Sequence, residues 1–277
     1  MKIYLGLAAA AVAAAACGTA SAAQVVIHDA VMRVTVIPEA RNDVSVEVVR
    51  SNPHFRIGVT RVGNDVSIDG GVGMRARGCH GLFGRKGVFV WGVGQIPYEA
   101  LPQVVVRTPM NVRVRARDAV FGVMGRADSA ELDNAGCGDW TLANIAGPAV
   151  VRVSGSGDVR AASVGSAEVR ISGSSDVTFN NIRNGLTTAV AGSGDLRAGS
   201  VNGPMHVRVA GSGDVIAHGG QVTDMQVQVS GSGDVRFGGV AQNLQASVAG
   251  SGDVSVGRVT GSVDRHVAGS GSVTVGS

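Results

Sequence analysis

The chain has 277 residues, 24 lysines and arginines against 21 acids, and a formal net charge of +3. Only 4% of it is aromatic while glycine occurs 42 times, so valine and alanine must supply most of the apolar interior. That composition suits a narrow core of small aliphatics and argues against the wide core of an α/β enzyme; its interspersed arginines offer no charged block to grip nucleic acid.

Residues 1–23 read as a Sec-type signal peptide. Lys2 supplies a positive start, Ile3 to Ala16 is an apolar run too short to span a bilayer, and "ASAAQ" offers cleavage after Ala22 or Ala23. The expected location is the periplasm, the outer membrane or the cell surface. An alternative is a lipoprotein signal with Cys17 as the lipidated residue, since "AAAC" places small residues before it. Membrane association is expected only in that case. Removing the segment takes away Lys2 and no acid, leaving a net charge of +2.

Residues 24–117 are β-rich but irregular. "MRVTV" (32–36), "DVSVEVV" (43–49), "DVSID" (65–69), "QVVVRTP" (103–109) and "NVRVRAR" (111–117) alternate apolar and polar residues, the signature of half-buried strands. They predict strands and imperfect coils leading into a regular array. Between them lies "GVGMRARGCHGLFGRKGVFVWGVGQIPYEALP", residues 71–102. A segment of this length without a clear strand pattern is either functional or disordered. Phe83, Arg85, Lys86, Phe89, Trp91 and Tyr98 make it a candidate partner surface; the other reading is a lid over the open end of the core.

Residues 118–277 repeat. Turns of the type "GSGD" close on Asp139, Asp158, Asp176, Asp195, Asp214, Asp234 and Asp253, with Ser272 in the next slot, at steps of 19, 18, 19, 19, 20, 19 and 19. Fixed offsets from each acid are apolar in every repeat, as in the series Val153, Ile171, Val190, Val209 and Val229. Short strands, one glycine turn each and a constant period predict an all-β fold: a right-handed parallel β-helix with coils of about 19 residues, forming one continuous domain over 24–277. Like residues should stack about 4.8 Å apart. Arg265 enters an inward slot held earlier by small residues, which predicts a polar terminal rung.

The recurrent "GSGD[VL]" turn, the β-rich lead-in and the proline after "VVVRT" resemble the head GIN domain family, over roughly residues 30–275. The resemblance implies a right-handed β-helix in an exported, adhesin-like protein of unknown function. It implies no catalytic residues, and no cofactor is expected.

The seven aspartates could bind calcium between successive carboxylates, but one carboxylate per coil is poor for six to eight oxygen ligands. The expected role is structural, with each acid accepting backbone N–H bonds at a corner. Arg160, Arg197 and Arg236, two residues after their acids, should partly neutralise the row. Carbohydrate-active β-helix enzymes remain an alternative, yet they need irregular acids converging in a groove. The histidines show no metal-ligand spacing. No catalytic, cofactor or metal residue is therefore assigned. Cys79 and Cys137 would, if bridged, pin the 71–102 segment to the first coil; otherwise they are two thiols. The reading is a non-enzymatic envelope scaffold or binding module whose partner is an envelope component, glycan or protein.

Overall fold

The computed structural model describes residues 23–73, 76–79 and 87–276. Within them the chain is a β-solenoid of stacked parallel coils about 19 residues apart. Apart from Ala23, the predicted signal peptide with Cys17 lies outside the described residues, as do Phe83, Arg85 and Lys86.

Ten strands build the first layers: β1 (Gln24–His28), β2 (Val31–Pro38), β3 (Ser45–Arg50), β4 (Gly58–Val62), β5 (Asp65–Asp69), β6 (Ala76–Gly78), β7 (Gly87–Val90), β8 (Gly94–Pro97), β9 (Gln103–Thr108) and β10 (Asn111–Met124). They do not stack in chain order. β1 lies between β5 and the first half of β10, and β2 between β9 and its second half, all parallel. The chain thus starts one layer in, drops back to build β5 and β9 beneath itself, then climbs over its own first coil. β10 crosses residue 117 without a break, so lead-in and array meet inside one strand.

Above β10 the coils stack in order. Ile68, Ile27, Ala116, Asn134, Val153, Ile171, Val190, Val209, Val229, Val248 and Val267 occupy one column through successive pairings. Most are buried in one continuous apolar core. Asn134 is the polar exception, and its Nδ2 donates to the Gly138 carbonyl at 3.0 Å. In other inward columns the rings stand beside small residues of neighbouring layers. Phe179 packs between Ala161 and Ala198, Phe237 follows Ala217, and Trp140 fills the space over Gly122, where a Cβ would come within 2.2 Å of its ring. A thin shaft accepts rings only where neighbouring layers leave room.

Glycine at the corners results from the same closeness. A Cβ on Gly213 would lie 2.2 Å from the Gly194 carbonyl oxygen in the coil beneath. In the one coil shortened to 18 residues that slot holds Ser175, fully buried, with its hydroxyl donating to the Gly155 carbonyl at 2.9 Å.

The two ends are finished differently. At the amino-terminal end β3 pairs antiparallel with β9, and β4 with β5, while Val44 enters the core and Val46 and Ile57 pack against it. Antiparallel strands halt the parallel ladder there. At the other end Arg265 sits over Ala246 in the inward row and its Nη1 donates to the Val273 carbonyl at 3.2 Å, laying a guanidinium across the shaft.

Candidate functional site

The acid row comes first because its spacing is the loudest signal in the sequence. Each Oδ1 accepts the backbone N–H of the next coil's corner residue, an unbroken chain of bonds of 2.8 to 3.2 Å from Asp139 to Ser272. In return, the Asp234 carbonyl accepts the N–H of Val215 one coil below, and the same bond recurs along the row. The carboxylates therefore stitch coil to coil, where the sequence suggested bonds inside each turn. Other carboxylate oxygens hold arginines: Arg160 on Asp158 (3.2 Å), Arg236 on Asp234 (2.7 Å), and Arg197 on both Asp195 (2.7 Å) and Asp176 (3.1 Å). Burial alone would lower the Arg197 pKa, but its bond to Asp176 and the charges of Asp176 and Asp195 outweigh that and hold it above its ordinary value.

The described residues of the 71–102 segment (71–73, 76–79 and 87–102) form a lobe, and its seat is lateral. Val88, Val90, Ile96 and Leu101 pack with Val31, Ala119 and Phe121, the outward residues of β2 and β10, in a second small core. The alternative of a lid over the end of the shaft is thereby corrected: β3 and β4 close that end. Outward apolar residues on two adjacent strands are what seat the lobe on the side. Cys79 and Cys137 form a disulfide with 5.6 Å between Cα atoms, fastening the lobe to the first "GCGD" corner.

Of the candidate partner residues, Trp91 is 67% exposed and Phe89 39% exposed, on the β7–β8 hairpin. Tyr98 instead belongs to the seat. Its ring meets Phe121 edge-on at 5.2 Å, and the Arg33 guanidinium lies 5.1 Å from its centroid.

A third surface carries more chemistry than either. On the outward side of the strands beyond Gly147, three shallow, open depressions of about 300, 410 and 260 Å³ adjoin one another through shared lining residues, and together they are called the trough. Register stacks Glu168, Thr187, His206, Gln226, Gln245 and Asp264 in one row, with Arg170, Ala189, Arg208 and Gln228 alongside. Five coil steps span about 24 Å. Glu168 is paired with Arg170 at 2.7 Å, and Arg208 Nε donates to Gln228 at 3.0 Å. Acceptors and donors thus repeat along a shallow, nearly neutral face. Sequence reasoning used these positions only as the polar half of the strand alternation. The signal that could have found the trough was their chemistry, amide, hydroxyl and imidazole where a merely solvated strand face tolerates any charge.

These features define a class of protein, a stapled β-solenoid rod that presents surfaces and holds its acids in structural bonds. Residues 180–277 match the family described as "Putative auto-transporter adhesin, head GIN domain", so the resemblance is shown for the coils from Asn180 onward. None of the curated proteins matches. A crystal structure of a "putative adhesin" from Parabacteroides distasonis ATCC 8503 is similar at 14% identity, over 92% of this chain and 93% of that one, with a TM-score of 0.45.

Proposed function

We propose that the protein is an exported, adhesin-like binding module of the envelope that works without catalysis, and that its trough takes an extended, uncharged glycan. The carrying observation is the row Thr187, His206 and Gln226, three hydrogen-bonding side chains of different chemistry held side by side by strand register. Hydroxyl-rich chains need many donors and acceptors and little net charge, which is what the row supplies. Glu168, the acid at one end of the row, is already held by Arg170. Asp264 stands at the other end five coils away, a separation that favours binding over paired acid–base work. The signal-like leader and the adhesin family match support export and surface display.

The test is binding of the purified protein to neutral polysaccharides on an array, compared with the variant carrying T187A, H206A and Q226A. The expected result is at least a tenfold loss of affinity with unchanged melting. Equal binding by the variant rejects the trough. A second reading rests on the exposed Trp91 of the hairpin: a protein partner would be lost on W91A while polysaccharide binding stayed.

A further inference from the structure

We propose a zinc site at the root of the lobe, made by His28, Asp29 and Asp69, independent of the trough. Parallel register places His28 of β1 beside Asp69 of β5, and Asp29 comes directly after the end of β1. One ligand atom from each lies within 4.8 Å of the others. The His28 Nδ1 to Asp29 Oδ2 separation is 3.4 Å, long for a hydrogen bond. For this pair it matches the edge of a tetrahedron with zinc bonds of about 2.0–2.2 Å, and Asp69, within 4.8 Å of both, would close on the ion as it binds. The other ring nitrogen, Nε2, is 3.0 Å from Ser67 Oγ. Donation there leaves Nδ1 as the lone pair facing the carboxylates, the outer-shell arrangement that metal-bound histidines show.

The surrounding backbone is fixed. Asp69 Oδ1 accepts the Gly71 N–H at 2.8 Å, leaving its second oxygen for an ion. Gly70 donates to the His28 carbonyl and Val72 to the Asp29 carbonyl, at 3.1 and 2.9 Å. Two carboxylates and a neutral imidazole balance a divalent charge, with water as the fourth ligand. One nitrogen and two oxygens suit zinc; three protein ligands are too few for calcium. The alternative is a half-exposed His–Asp ion pair, which stabilises little. A bound ion would clamp β1, β5 and the first residues of the lobe together.

Tag-free protein from the periplasm, stripped with chelator, should be titrated with zinc chloride by calorimetry. One saturable site is expected, with a raised melting temperature and slower proteolysis within 70–102. H28Q and D69N, both at partly exposed positions, should each weaken binding at least tenfold, and magnesium should not compete. D29N serves as a third probe if either variant loses its native circular dichroism. Absence of saturable zinc binding, or binding undiminished in the folded variants, overturns the site.

Discussion

Asp214 accepts the backbone N–H of Asp234 through its Oδ1 at 2.8 Å, although both side chains carry the same charge. Carboxylates stacked about 4.8 Å apart repel by at most roughly 0.9 kcal/mol in water. A hydrogen bond to an ionised acceptor contributes about 1.5–3 kcal/mol, so the stitch wins over the repulsion.

Replacing Asp214 separates the two effects. Asp214→Asn keeps a carbonyl acceptor and removes the charge, so stability should change by less than about 0.5 kcal/mol. Asp214→Ala leaves the Asp234 N–H unpaired and should cost about 1–3 kcal/mol, a fall of roughly 2–12 °C in Tm for a chain of this size. Thermal melts of the two variants at one salt concentration check this. Equal destabilisation by both would show that charge, rather than the acceptor, is what matters.

Glycine at the corners gives a steric prediction. Gly213→Ala places a methyl 2.2 Å from the Gly194 carbonyl oxygen, which is backbone and cannot yield, whereas a Cβ on Gly219 meets nothing within 4 Å. The first change should cost about 3 kcal/mol and the second almost nothing. Denaturant midpoints measured side by side decide it.

Thr188 predicts a gain. It is buried between Val169 and Val207, and its Oγ1 finds no hydrogen-bond partner among the described residues. Thr188→Val should stabilise by about 1 kcal/mol, because an isosteric methyl removes an unsatisfied group. A rise in Tm without a change in circular dichroism is the expected readout.

The disulfide joins residues 58 apart, and on the chain-entropy model closing such a span is worth roughly 4 kcal/mol. Because the lobe has a core of its own on the side of the rod, reduction should expose 71–102 to protease while the solenoid keeps its strand signal. Cleavage sites mapped by mass spectrometry before and after reduction test that separation.

Much of the fold was legible because a solenoid writes its register into its period. The 18- and 20-residue steps at Asp176 and Asp234 still deliver Asp onto Asp, and the Val153 to Val229 series lies inward throughout. The order of the first layers was not legible. β1 and β10 carry the same alternation, and nothing local tells which strand lies between which others. The lateral seat was hidden for a related reason: Val31, Ala119 and Phe121 look like breaks in alternation until the lobe is set against them. Asn134 breaks the apolar column, and only the Gly138 carbonyl beside it accounts for the exception.

The candidate surfaces were legible in part. Trp91 and Phe89 stand out by rarity in a chain so poor in aromatics. Tyr98 stood out equally but is spent on holding the seat. The trough needed three dimensions, because Thr187, His206 and Gln226 are neighbours only through strand pairing.

That row is the most direct place to test the whole account. Adjacent coils put Thr187 beside His206 and His206 beside Gln226, about 4.8 Å apart and within disulfide reach, while Thr187 and Gln226 are two coils apart. Cysteine pairs T187C/H206C and H206C/Q226C should each cross-link on mild oxidation, and T187C/Q226C should remain two thiols, as read by mass spectrometry of non-reduced digests. Cross-linking of the distant pair, or free thiols in both adjacent pairs, would contradict the stacked register and with it the trough.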